Sequence, residues 1–170
     1  AMAILGLETK WQSPLGWVKN IYMGFKEIFN KNFPKMLVLE MGVDRPKDFD
    51  RLLKIARPDI GIVTAIGDIP VHVEFFSGPE ELAKEKSKIL KNLPSSGWAV
   101  LNFDDTTVWD MKNFTGANIL SFGFGSGADI TASNYKISQD GINFKIDYKG
   151  AAVPVKLKGV FGKHHVYAAL

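Results

Sequence analysis

Apolar residues recur at helical spacing soon after the start of the chain. Trp17, Ile21, Phe25 and Ile28 stand four, four and three positions apart. Ser13-Pro14 ahead of them supplies a capping hydroxyl and a proline for the first helical position, so an amphipathic helix is expected to about Asn30. Met36 to Leu39 is a short continuous apolar run, the pattern of a strand covered on both faces. A helix is expected from about Pro46 to Ala56 with Phe49, Leu52, Leu53 and Ile55 toward the core, and Asp59 to Ile66 reads as a second buried strand. Ser77-Gly78-Pro79-Glu80 has the spacing of a capping box and opens a helix to about Leu93. Trp98 to Asn102 and Ile119 to Phe122 read as two further strands.

Strands separated by helices predict an α/β fold, a mostly parallel sheet flanked by helices. The pattern changes after residue 127. Ala128 to Ile137, Ile142 to Tyr148 and Val153 to Leu157 are β-rich and separated by Gln139-Asp140-Gly141 and Gly150, which predicts a small antiparallel sheet attached to the α/β core. The expected division is therefore an α/β core over 1–127, antiparallel strands over 128–160 and the start of a helix over 161–170. That helix stops about one turn in, without a cap, and Ala1-Met2-Ala3 resembles a cloning remnant, so a piece of a larger protein is expected.

Composition narrows the chemistry. The 170 residues contain no cysteine, which excludes disulfides, thiolate metal sites and a cysteine nucleophile. A net charge of +3 with both signs interspersed gives no argument for nucleic acid. No apolar run approaches the roughly 18 to 20 residues that span a bilayer, so no membrane insertion is expected and the chain reads as cytoplasmic.

In an open α/β sheet, ligands gather beyond the carboxyl ends of the strands. Glu40, His72, Asn102, Asp104 and Asp105 fall at or after such ends. Each also has a plain structural reading: Glu40 as a solvated or capping carboxylate, His72 as an ordinary loop histidine, Asp104 as the cap of a short helix near Thr107. Lys86 is sharper. It shares the helical stripe of Leu82, Ile89, Leu90 and Leu93, while Lys84, Lys88 and Lys91 lie opposite. An inward lysine either snorkels to water or becomes a neutral, nucleophilic amine, because desolvation lowers its pKa. Two glycine-rich stretches are decoys. Gly123 to Ala128 matches a loose dinucleotide pattern but precedes a β-rich segment, and Gly159 to His164 lacks the spacing of a phosphate loop.

Leu39-Glu40-Met41-Gly42 with Arg57-Pro58-Asp59, Val71-His72-Val73-Glu74-Phe75-Phe76, Ala83-Lys84-Glu85-Lys86, Gly97 with Leu101-Asn102-Phe103-Asp104-Asp105, Ser121-Phe122-Gly123-Phe124 and Gly162-Lys163-His164 occur in one order. In that order they resemble the central, ATP-binding domain of the Mur ligases, from about Leu5 to Leu170. The pattern is most similar to the members that add D-alanyl-D-alanine. The resemblance implies ATP and Mg2+ as cofactors, with UDP-MurNAc-tripeptide and D-Ala-D-Ala as substrates. It further implies Glu40 and His72 as magnesium ligands, Lys86 carbamylated and placing a second magnesium, and Asn102, Asp105 and His164 around the nucleotide. The implied reaction is phosphorylation of a terminal carboxylate followed by attack of an amine on the acyl phosphate. The family's phosphate loop and its flanking N- and C-terminal domains have no counterpart in these residues. Ala65, His165 and Ala168 stand where the family often carries asparagine. These departures keep open a non-catalytic Mur-ligase-like binding domain, and a dinucleotide-dependent enzyme is a third, weaker reading.

Overall fold

The computed structural model describes residues 13–32, 34–43, 45–66 and 75–170. It separates them into two compact units, Ala1–Gly42 and Val43–Leu170.

Helix α1, Pro14–Ile28, occupies the first unit and starts as expected, with the Ser13 hydroxyl accepting the Gly16 amide at 3.1 Å. Its apolar seam is not buried: Trp17, Ile21, Phe25 and Ile28 are all exposed. Met36 to Leu39 are exposed too and form no strand. One cause serves both differences. A seam needs an opposing surface and a strand needs a neighbour for its backbone groups, and the described residues of this unit hold one helix and no strand.

The second unit holds one six-stranded sheet in sequential order, β1 (Ile60–Val63), β2 (Trp98–Asn102), β3 (Asn118–Gly123), β4 (Ile130–Ser138), β5 (Gly141–Tyr148) and β6 (Ala151–Lys158). The first four run parallel, joined at β3 and β4 by Phe122↔Ile130 and Gly123↔Thr131, and the last three are antiparallel. The antiparallel strands after residue 127 are present, and they continue the same sheet.

Helices α2 (Asp48–Ile55) and α3 (Pro79–Lys91) pack against each other. Phe49 and Leu53 of α2 are buried, whereas Ile55, expected inside, lies off that stripe and is exposed. Leu90 and Leu93 reach to about the position a side chain on Gly61 of β1 would take, at 3.3 and 3.4 Å, so α3 lies directly on the sheet. The capping box of α3 is displaced by one residue. The helix cap is Gly78, and Glu81 rather than Glu80 reaches back, accepting the Ser77 amide and hydroxyl at 2.7 and 2.9 Å. Helix α4 (Thr106–Asp110) continues into a 3-10 turn, Met111–Phe114, and α5 (His164–Tyr167) closes the chain. Val166 of α5 is fully buried among Ala132, Ile142 and Phe144, so this short helix is pinned to the antiparallel part of the sheet by an apolar plug.

Among the described residues of the second unit, the rows of β1 and β2 alternate in burial. Val63, Ala99 and Leu101 are buried, while Ile60, Ile62 and Trp98, in the alternate rows, are exposed. The expectation of a fully buried second strand is corrected to an alternating one.

Candidate functional site

The carboxyl ends of β1 and β2, together with α5, open into a cleft of about 470 Å³ lined by Thr64, Ala65, Asn102, Asp104, Asp105, His164, Tyr167 and Ala168. Three of the residues expected around a nucleotide, Asn102, Asp105 and His164, therefore come together here although 62 positions separate Asn102 from His164 (164 minus 102). A second, more open groove of about 500 Å³ lies on the other side of α5, where Lys156 is already paired with Asp140 at 2.7 Å. The first cleft is the better site, because its polar groups converge at the strand ends.

Each polar group is held by the fold. The Asn102 amide nitrogen donates to the Thr64 carbonyl at 2.8 Å, and its side-chain oxygen accepts the Asp104 amide at 2.9 Å, so a buried side chain ties the ends of β1 and β2. Asp105, not Asp104, caps α4: its Oδ1 accepts the Val108 amide at 3.0 Å and its Oδ2 accepts the Ile66 amide at 2.8 Å. Asp104 instead accepts the amides of Phe124 and Gly125 and the hydroxyl of Tyr167.

The glycine-rich stretch after β3 is explained by this packing. A Cβ on Gly123 would sit 2.7 Å from the Asp104 carboxylate, and one on Gly125 2.8 Å from the Phe103 ring. The glycines admit the Phe103-Asp104 turn, and their loop is filled by protein rather than shaped around a phosphate.

Lys86 is half-buried and its Nζ lies 3.4 Å from the carbonyl oxygen of Ala65, at the rim of the cleft. Burial lowers its pKa from the ordinary lysine value, and the nearby Asp105 charge partly opposes that shift. The stripe argument for Lys86 is thus matched by its placement. Lys88, expected in the solvated row, bridges Glu85 and Asp50 at 2.8 Å to each. Burial works to lower Lys88, but the bonds and charges of those carboxylates outweigh it and hold its pKa above the ordinary value.

Of the expected magnesium set, His72 lies outside the described residues, and Glu40 is an exposed residue of the first unit, outside any strand. Among the described residues no group of three His, Asp or Glu stands close enough to hold a metal ion. Sequence reasoning missed Tyr167 and the true role of Asp104. A lone tyrosine 63 positions from its partner leaves no signal in spacing.

Parallel strands with helices between them, and a cleft at their carboxyl ends, define an α/β fold of the kind in which ligands gather at the strand ends. Residues 20–170 match the family model described as Mur ligase middle domain, and the chain belongs to that family. It is 30% identical over 138 residues to the UDP-N-acetylmuramoyl-tripeptide--D-alanyl-D-alanine ligase of Buchnera aphidicola, covering 80% of this chain and 29% of that protein. It is 32% identical over 137 residues to the ligase of the same name from Mycobacterium tuberculosis, covering 79% and 26%. The chain thus spans less than a third of the length of these relatives. In fold it is similar to the MurF ligase of Thermotoga maritima solved in complex with ADP, with a TM-score of 0.72 and 24% identity over 95% of this chain and 36% of that one. No helix among the described residues is long and apolar enough to cross a membrane.

Proposed function

We propose that this chain is the ATP-binding segment of an amide-forming ligase of peptidoglycan precursor synthesis, which adds D-Ala-D-Ala to UDP-MurNAc-tripeptide. The observation that carries the reading is the convergence of Asn102, Asp105 and His164 on one cleft with a partly desolvated Lys86 at its rim. A cleft of about 470 Å³, mostly apolar with a few converging polar groups, has room for the base and ribose of ATP. Asn102 and Asp105 hold the strand ends in register, His164 offers an exposed ring for the nucleotide, and the lowered pKa of Lys86 enlarges the neutral fraction that attacks carbon dioxide.

In the reaction a carboxylate oxygen of the tripeptide attacks the terminal phosphorus of ATP and ADP leaves. The amine of D-Ala-D-Ala then attacks the acyl carbon, phosphate leaves, and the amine gives up its proton. Magnesium would neutralise phosphate charge; the family resemblance implies Glu40 and His72 for one ion and a Lys86 carbamate that places a second. The filled glycine loop means that phosphates must be cradled elsewhere, so this chain alone is expected to bind nucleotide weakly and to turn over none. Ala65 and Ala168 on the cleft wall favour a second reading, a binding domain without catalysis.

Two measurements test the proposal. Carbon-13 bicarbonate added to the chain should give a lysine-carbamate resonance that is lost in Lys86→Ala. In a longer polypeptide that performs ligation, Lys86→Ala should abolish activity without rescue by carbon dioxide. Full ligation by Lys86→Ala would remove the carbamate role, and absence of ATP consumption by any polypeptide carrying this segment would favour the binding domain.

A further inference from the structure

The Asp104 carboxylate accepts three hydrogen bonds from the protein. Its Oδ1 accepts the Gly125 amide at 2.8 Å, while its Oδ2 accepts the Phe124 amide and, at 2.8 Å, the Tyr167 hydroxyl. Its own amide is fixed on Asn102. The Tyr167 bond is the one hydrogen bond, among the described residues, that ties α5 to the turns at the ends of the parallel strands. Val166 anchors the helix from the opposite side, and the Phe124 ring meets the Tyr167 ring edge-on at 5.2 Å. The helix carrying His164 is thus held between an apolar plug and a single polar clasp.

We propose that Asp104 is a positioning residue for the cleft: through Tyr167 it fixes α5, and with it His164, opposite Asn102, so that the two walls are set for a nucleotide before it arrives. This rests on the nucleotide reading above for its ligand, but the clasp itself is a property of the free chain. Burial, and after it the bond and charge of Asp104, push the Tyr167 phenol up to about 12, so the hydroxyl keeps its proton and remains the donor throughout the neutral range. A preorganised wall spares the ligand the cost of ordering it, which is where the clasp enters affinity.

The test uses the chain as it stands, with ATP as the probe and Tyr167→Phe and Asp104→Asn as variants. Leu53→Ala, on the buried face of α2 and outside the cleft lining, serves as a destabilised control. Tyr167→Phe should speed amide exchange of residues 164–170 on the order of tenfold, the loss expected for a hydrogen bond to a charged group, and weaken ATP by a similar factor. Core amides such as Leu101 should hold their rates. The Tyr167 ring-carbon resonance should move in Asp104→Asn at neutral pH, and Leu53→Ala should leave ATP affinity unchanged. Exchange at 164–170 equal to that of the wild type, or a rise spread evenly over the core, would overturn the clasp. So would unaltered ATP affinity in both variants. Should the wild-type chain bind no ATP, the nucleotide reading fails for this chain, and the clasp then stands or falls on the exchange and resonance results alone.

Discussion

Ser121 and Asp129 close the glycine loop by a reciprocal pair of bonds. The Ser121 amide and hydroxyl donate to Asp129 Oδ2 at 2.8 and 2.6 Å, and the Asp129 amide donates back to Ser121 Oγ at 2.9 Å. Those donors, the hydroxyl first, hold the Asp129 carboxyl below the usual carboxylate range, and burial opposes them only in part. A depressed carboxylate pKa stabilises the fold above the unfolded-state value of about 3.9, and that contribution disappears as pH falls through the lower, folded value. Asp129→Asn should therefore cost about 1 kcal/mol at neutral pH, the low end for a bond to a charged group because the carboxylate is exposed. The difference from wild type should shrink below about pH 4, where the wild type approaches its own protonated form. Urea midpoints of the two proteins at neutral and acid pH measure it, and parallel pH curves would exclude the assignment.

At the scale of elements, α2 and α3 are joined through Glu85. This buried carboxylate accepts the Phe49 amide at 3.3 Å and pairs with Lys88, which also reaches Asp50. Glu85→Ala leaves the Phe49 donor and the Lys88 ammonium short of a partner, and a loss of about 2 kcal/mol in urea unfolding is expected. Lys84→Ala, on an exposed position of the same helix, should stay within about 0.5 kcal/mol. The difference marks how far α3 could be read beforehand. Its length, the buried Leu82 and Leu90 and the half-buried Lys86 follow from the 3.6-residue period, and β2 falls at Trp98–Asn102 as expected, because local pattern decides these. Glu85 and Ser87 are buried polar residues, and polarity alone places them outside. Their burial depends on α2 and on neighbouring turns, contacts that no periodicity encodes. The cleft divides in the same way. Asn102 and Asp105 are legible because one ends a strand and the other follows it, whereas the Asp104–Tyr167 clasp joins parts of the chain that meet only after the sheet has formed.

For the molecule as a whole, the parallel strands pose an unusual condition. Sheets of this kind are ordinarily covered on both faces, yet Ile62 is 58% exposed while Leu101, in the adjacent row of the neighbouring strand, is 0% exposed. The two faces should therefore respond oppositely to substitution. Leu101→Ala opens a cavity between the sheet and its helices and should cost about 2 to 5 kcal/mol. Ile62→Thr removes an apolar group that is already largely in water, and a β-branched residue keeps its fit to a strand, so a change within about 0.5 kcal/mol is expected. The same substitution should lower binding of the dye ANS, since Ile60, Ile62 and Trp98 form a contiguous apolar strip across β1 and β2. Thermal unfolding and dye fluorescence on both variants decide the matter. If Ile62→Thr destabilises as much as Leu101→Ala, the strip is packed in solution and the exposed face is not a feature of the folded chain. If only Leu101→Ala does so, the stability of the second unit rests on the face covered by α3, and the cleft at the strand ends is supported from that one side.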